Sequence, residues 1–215
     1  MSNRTHLVVM QGDGIGPEIT AATLQVLREA DKLLGLGLTF EDAVIGFDAL
    51  KKHGTTMPDA SFEAGKRADG VILGPVSHNA YPPRDQGGLN PSGEMRKRLD
   101  LYANIRPAKS LEGIRSHYKD IDIMVFRENT EEFYAGIEHY IDPAKSAAET
   151  IGVVTRSGSE RILRYAFEYA RKFRRKKVTI VHKANILKFT GGLFLEVGRK
   201  VAQEYPEIET NDKII

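Results

Sequence analysis

Four groups of residues in this 215-residue sequence have types and spacings suited to chemistry. The first is Gly12-x-Gly14-x-Gly16, set between an apolar run and Pro17. Its glycines permit a tight turn, and a helix opening there offers unpaired N–H groups to an anion or polar ligand. The spacing is not the G-x-G-x-x-G of a dinucleotide fingerprint, so a Rossmann-type site is rejected. A bare tight turn and a ligand-bearing one both stay open. The second group is Arg96, Arg98, Arg106 and Arg127. Guanidinium groups bind carboxylates bidentately, so three converging arginines would suit a di- or tricarboxylate. Ordinary surface arginines are the commoner source of such a set, and convergence is not readable from order along the chain. The third group is a pair of polar clusters, each directly after an apolar strand: Arg127-Glu128-Asn129-Thr130-Glu131-Glu132-Phe133-Tyr134 and His182-Lys183-Ala184-Asn185. Catalytic groups commonly lie just past the carboxyl ends of parallel strands, where a Tyr can act as acid and a Lys as base. Polar strand-to-helix loops would read the same way, although two such clusters say more than one. The fourth group is the basic run at residues 171–177. A solvated helix C-terminus, favoured by the macrodipole, explains it better than a nucleic-acid patch.

The elements that must position these groups alternate in type. Residues 7–10 form a continuous apolar run suited to a buried strand, and the glycine turn leads into a helix with Pro17 in its first turn. Ile19, Leu24, Val26, Leu27, Ala30 and Leu33 give that helix an apolar face expected to point inward. A strand is expected over residues 38–45, helices over 47–53 and 60–68, and a strand over 70–73. The long irregular stretch 74–93 is unusual for a compact domain and suggests function. A helical segment follows over 95–102, then a strand over 121–126. Residues 140–150 are expected to form an arm or hairpin, and 151–155 a strand. Residues 159–173 form an amphipathic helix with Ile162, Leu163, Ala166, Phe167 and Ala170 inward; a strand at 178–181 and a helix at 189–205 complete the pattern. Such alternation predicts an α/β fold with a parallel, helix-covered sheet. The expected boundary lies near Pro107, giving units 1–106 and 107–215.

Composition narrows the chemistry. With no Cys, thiolate metal sites, iron–sulfur clusters and cysteine nucleophiles are excluded. The six His are far apart, without a helical His-x-x-x-His metal pair. Lys and Arg number 31 against 29 Asp and Glu, a balance that points neither to nucleic acid nor to an acidic tail. No apolar run has the roughly 18 residues of a membrane span, and residues 1–6 carry no signal-peptide core. A soluble, cytoplasmic protein without a nucleic-acid or membrane partner is expected.

Taken together, Met10-Gln11-Gly12-Asp13-Gly14-Ile15-Gly16-Pro17-Glu18, Leu99-Asp100-Leu101-Tyr102-Ala103-Asn104-Ile105-Arg106-Pro107, Arg127-Glu128-Asn129-Thr130-Glu131 with Tyr134-Ala135-Gly136-Ile137-Glu138-His139, and His182-Lys183-Ala184-Asn185-Ile186 closely resemble the isocitrate/isopropylmalate dehydrogenase family of β-decarboxylating dehydrogenases. The resemblance implies a three-layer, non-Rossmann α/β fold with the first part of a large domain over 1–106 and a small substrate and dimerisation domain over 107–215. It implies oxidation of a (2R)-hydroxy acid with NAD or NADP and Mg²⁺ or Mn²⁺, loss of CO₂, and protonation of the resulting enolate, as in the tricarboxylic acid cycle. Carried over by motif, Arg96, Arg106 and Arg127 clamp the malate-like carboxylates, Lys183 is the base, Tyr134 is the acid, and Asn185 lies by the nicotinamide. The family's Lys reaches into a partner's cleft, so a homodimer is implied.

Asn90 and Ser92 occupy the positions that read the substrate's variable side group; many isocitrate-type members carry Ser and Asn there instead. His182-Lys183-Ala184-Asn185 is more like isocitrate and homoisocitrate enzymes than isopropylmalate enzymes. The expected order of substrates is therefore isocitrate or a close homologue, then 3-isopropylmalate, then malate or tartrate. The family's metal-binding Asp residues are expected beyond Ile215, which reads the chain as a C-terminally truncated portion, inactive alone. A non-catalytic truncated or regulatory-type subunit is the alternative, against which the intact Arg96, Arg106, Arg127, Tyr134 and Lys183 argue.

Overall fold

The computed structural model describes residues 4–215, so the reading made of residues 1–3 lies outside the described residues. The chain divides into two compact units, Met1–Asp100 and Leu101–Ile215. The expected boundary at Pro107 would cut strand β4 (Ala103–Lys109), whose ladder to β5 (Asp122–Glu128) runs unbroken through Pro107↔Met124.

In the first unit β1 (Thr5–Met10) is the middle strand of a parallel sheet, flanked by β2 (Leu38–Asp42) and β3 (Gly70–Leu73). A central strand reads as continuously apolar because neighbours cover both its faces, and Val8, Val9 and Met10 are essentially inaccessible. Helices α1 (Gly16–Leu34), α2 (Gly46–His53), α3 (Asp59–Arg67) and α4 (Pro91–Arg98) accompany it. The core joins Val8 and Met10 to Ile45, Met57, Phe62, Ala64 and Met95. The inward face expected for α1 is corrected. Of the six expected positions Leu24 is buried and Leu27 and Ala30 are half-buried, while Ile19, Val26 and Leu33 are exposed and the other buried positions are Gly16 and Thr20. Apolar spacing specified the helix but not which of its sides the unit covers.

Helix α4 begins four residues earlier than the apolar pattern suggests. Asn90 is its N-cap, with Oδ1 accepting the Gly93 N–H at 3.2 Å, and Pro91 follows in the first turn. This pair satisfies a helix start in two ways, by filling an orphan donor and by removing another. Residues 99–102 are therefore not helical; Asp100 takes a positive φ of 48° and the chain turns into β4.

In the second unit β4 and β5 pair antiparallel, β6 (Glu132–Tyr140) and β7 (Ala148–Val153) form the hairpin, and β8 (Lys177–His182) and β9 (Glu209–Ile214) pair parallel. The expected parallel arrangement thus holds for the first unit and for β8–β9 only. Helices α5 (Arg156–Lys172) and α6 (Thr190–Ala202) close the core of Ile162, Leu163, Phe167, Ala170, Ile180, Val197, Val201, Tyr205 and Ile208. Thr155 caps α5 through its hydroxyl, which accepts the Gly158 N–H at 2.9 Å. The basic run ends α5 and is built into the unit: Arg171 pairs with Glu207 and Lys177 with Glu209, each at 2.7 Å, and Arg175 with Asp122 at 2.6 Å. Among the described residues no helix is long and apolar enough to cross a membrane.

Candidate functional site

The glycine turn is the first element to resolve. Gly12 has φ +75°, and a Cβ there would lie 2.0 Å from the Pro75 carbonyl oxygen, so no larger residue fits. Between the glycines, Asp13 is buried and places a carboxylate beside the turn. Its Oδ1 accepts the Phe47 N–H at 2.8 Å, and its Oδ2 accepts the Ser77 N–H at 3.0 Å and the Tyr81 hydroxyl. The Asp13 N–H donates to the Pro75 carbonyl at 2.8 Å. Gly46, at φ +75°, is required as well, because its Cβ would meet Asp13 Oδ1 at 2.3 Å. Burial and the donated hydrogen bond push the Tyr81 phenol well above the ordinary tyrosine range, which keeps its proton on the donor side. A buried carboxylate with these partners makes the turn a structural staple rather than a phosphate cradle.

The loop held by this staple borders a cavity of about 350 Å³ in the first unit. Residues 73–76 form one side; His78, Asn90, Ser92 and Arg96 contribute the polar groups. Asn90, Ser92 and Arg96, separated in sequence by the turns of α4, thereby line one space. His78 was missed, since a lone histidine in an irregular loop carries no periodic or motif signal.

Arg106 and Arg127 belong to the second unit. Arg127 lies within β5 rather than after it, correcting the expected position, and that strand pairs antiparallel. It stands directly opposite Asn104, and Arg106 is two residues along from Asn104. Side chains alternate along a strand, so Asn104, Arg106 and Arg127 share one face of the ribbon. Arg106 Nε donates to Asn104 Oδ1 at 3.0 Å, and Arg127 Nη2 donates to Asn129 Oδ1 at 3.3 Å. The Arg127 guanidinium lies 4.6 Å from the Tyr134 ring centroid, a cation–π contact that brings the expected acid beside the expected clamp. Both arginines have neutral amide partners, whereas Arg156, Arg164, Arg171, Arg175 and Arg199 are each paired with carboxylates. Asn104 was not singled out from sequence, although its two-residue spacing from Arg106 is the strand period.

The turn joining Arg127 to Tyr134 is shaped by two carboxylates. Glu128 accepts the Thr130 N–H and hydroxyl, each at 2.7 Å, the Glu131 N–H at 2.6 Å, and Arg161 Nη2 at 3.3 Å. Glu131 accepts the Thr155 N–H at 2.9 Å and the Thr155 hydroxyl, tying the turn to the cap of α5. Gly158 leaves room for it, since a Cβ would stand 2.1 Å from Glu131 Oε1. Glu128 and Glu131 thus hold the shape of the turn.

Lys183 directly follows the parallel strand β8, as expected, and is exposed; its ammonium donates to the Ile215 backbone oxygen. Asn185 is exposed on the same short turn, where the Ile186 and Leu187 N–H groups donate to the Lys183 carbonyl at 3.0 and 2.8 Å. The preceding His182 is buried and fixes the turn. Its Nδ1 accepts the Ala184 N–H at 3.0 Å, so the neutral ring carries its hydrogen on Nε2, 3.2 Å from Asp212 Oδ2. Asp212 also accepts Arg199 Nη2 at 3.0 Å; Arg199 first and His182 second hold its carboxyl below the usual carboxylate range. Among the described residues no group of three or more His, Asp or Glu is placed to hold a metal ion.

Comparison with known families matches residues 6–215 to isocitrate/isopropylmalate dehydrogenase. The 3-isopropylmalate dehydrogenase of Archaeoglobus fulgidus is 43% identical over 97% of this chain and 60% of its own length. The mitochondrial isocitrate dehydrogenase [NAD] subunit 2 of Schizosaccharomyces pombe is 35% identical over 100% of this chain and 54% of its own length. Among solved structures, isocitrate dehydrogenase from Methylococcus capsulatus superposes with a TM-score of 0.86 at 46% identity, covering 98% of this chain and 60% of that one. The chain therefore spans little more than half the length of these relatives, and its mixed α/β fold is theirs. With the match extending across nearly every described residue, the chain belongs to the isocitrate/isopropylmalate dehydrogenase family.

Proposed function

We propose that this chain carries the carboxylate-binding and proton-transfer residues of a metal-dependent, NAD- or NADP-linked oxidative decarboxylation of a malate-type (2R)-hydroxy acid, with isocitrate or a close homologue preferred. The observation that carries the reading is the pair Arg106 and Arg127, held on one strand face by neutral amides in a unit where other arginines pair with carboxylates. Neutral partners orient a guanidinium without neutralising it, leaving its charge for an incoming carboxylate. Arg96, with Asn90 and Ser92, supplies the corresponding groups of the first unit.

In this reading Lys183 takes the hydroxyl proton as the alcohol becomes a ketone. After CO₂ leaves, Tyr134 returns a proton to the carbon that carried it, and Asn185 serves the nicotinamide end of the cofactor. Among the described residues no group of three or more His, Asp or Glu is placed to hold a metal ion, and the glycine turn carries the buried Asp13 carboxylate, whose charge disfavours a phosphate there. The steps assigned to this chain are therefore carboxylate binding and proton transfer. NAD is the cofactor named for the fission-yeast relative.

The test uses the product of the complete gene with isocitrate, 3-isopropylmalate, (2R)-malate and tartrate, Mn²⁺ or Mg²⁺, and NAD or NADP. One CO₂ and one reduced nicotinamide per acid consumed are expected, with the highest kcat/KM for isocitrate. Absence of reduced nicotinamide with every acid overturns the reading. A higher kcat/KM for 3-isopropylmalate would establish the second reading, which the Archaeoglobus fulgidus relative favours.

A homodimer is part of the proposal. The β6–β7 ribbon is an isolated pair in which Ile137 stands opposite Ile151, each nearly half exposed, and Phe133 and Tyr140 are more exposed still. A two-stranded ribbon is marginal alone, so a covering partner supplies the missing burial. Sedimentation equilibrium is expected to give twice the monomer mass, and replacing Ile137 and Ile151 together by Lys to give the monomer. A parent that sediments as a monomer at tens of micromolar would exclude this ribbon as a dimer surface.

A further inference from the structure

We infer that His78 is a specificity-determining residue of the proposed substrate site, contacting the arm by which malate-type acids differ and favouring an arm that ends in a carboxylate. The inference rests on the functional reading above. Its own support is the way the residue is mounted. His78 opens a 3-10 turn, His78–Ala80, closed by Ala80 N–H to Ser77 O at 2.8 Å. The Ser77 N–H before the turn and the Tyr81 hydroxyl after it donate to the same oxygen, Asp13 Oδ2. That carboxylate is itself anchored by the Phe47 N–H on its other oxygen, and the Asp13 backbone by the Pro75 carbonyl. Tyr81 is braced further by an edge-on contact with Phe47, ring centroids 5.0 Å apart.

A five-residue segment pinned at both ends on one buried carboxylate presents its histidine with little backbone freedom left to lose. The ordering cost that an exposed loop residue would meet on binding ligand has already been met in folding. The imidazole borders the same cavity as Asn90, Ser92 and Arg96. Neutral or protonated, it has at least one N–H to donate, and so have Asn90 and Ser92 through their amide and hydroxyl. A carboxylate arm placed among these donors is bound by hydrogen bonds. An isopropyl arm would desolvate them and pair none, which is how a polar site rejects an apolar analogue.

The experiment compares His78→Leu and His78→Gln with the parent in the product of the complete gene, using isocitrate, 3-isopropylmalate and (2R)-malate, which has no arm. For His78→Leu, kcat/KM for isocitrate is expected to fall about tenfold or more, the size of one hydrogen bond to a charged group. The value for (2R)-malate is expected to stay within about twofold, and the preference for isocitrate over 3-isopropylmalate to shrink accordingly. His78→Gln, which keeps a donor, is expected to recover most of the loss. His78 is exposed, so thermal melts of both variants should match the parent. An unchanged isocitrate-to-malate ratio, or an equal loss with both acids, overturns the inference while leaving the functional reading intact. A parent that turns over none of the three acids overturns both.

Discussion

Replacing Lys183 by alanine is expected to lower kcat for the proposed reaction by about 10²–10⁴-fold, the usual contribution of a positioned acid or base. Lys183 stands at the end of β8 on a turn that three independent contacts immobilise: the His182 imidazole to the Ala184 N–H, and the Ile186 and Leu187 N–H groups to the Lys183 carbonyl. The backbone geometry is therefore set without the lysine side chain, which is exposed. Its removal leaves no cavity and no buried unpaired group, so stability should change by no more than about 0.5 kcal/mol. The measurement is kcat and KM for isocitrate in the product of the complete gene, alongside a thermal melt. Loss confined to kcat, with an unchanged melt, is the signature of a proton acceptor. Near-normal turnover in this variant refutes the role given to Lys183.

The largest stability effect is expected from Asp13→Ala. The substitution strips the partner from three donors at once: the Phe47 and Ser77 N–H groups and the Tyr81 hydroxyl. Each buried group left unpaired costs about 1–3 kcal/mol, and partial access of water brings a combined loss of about 3–5 kcal/mol. In a chain of this size that corresponds to a fall in Tm of about 10 °C. Asp13→Asn keeps the shape and one acceptor oxygen, so it should lose less. Tyr81→Phe removes a single bond and should cost about 1 kcal/mol. Circular dichroism melts of the three variants give the order directly. If Asp13→Ala melts within about 2 °C of the parent, the staple does not hold the loop, and the mounting proposed for His78 loses its basis.

Much of the local structure was legible in the amino-acid order. Residues 70–73 were expected as a strand and are one, because a short apolar run starting at Gly70 has no competing pattern. The inward face of α5 was also legible: Ile162, Leu163, Phe167 and Ala170 are buried and Ala166 is half-buried, at helical spacing and on a helix long enough for the period to be unambiguous. Strand β4 was not legible. Its Arg106, Pro107 and Lys109 break the alternation that marks a half-buried strand, and most of the strand is indeed exposed. Helix α4 was displaced because Asn90-Pro91 reads equally as a loop and as a cap followed by a first turn. For α1 the apolar stripe was right in part: Leu24 is buried and Leu27 and Ala30 are half-buried, but Ile19, Val26 and Leu33 are exposed.

The same division holds at the site. The sequence by itself determined the family, through four motifs in order, and the absence of a dinucleotide fingerprint, through local spacing; it named the arginine, tyrosine and lysine candidates only through the family resemblance. Only the tertiary structure decided that the glycine turn is a staple, since the donors that Asp13 accepts lie 34, 64 and 68 residues away. Only strand pairing put Arg127 opposite Asn104 and on the face of Arg106, and only the 3-10 turn brought His78 to the cavity of Asn90, Ser92 and Arg96. The physical reason is common to all three. Periodicity and capping are written in neighbouring residues, whereas a hydrogen-bond partner across the fold is chosen by topology, which no local spacing encodes.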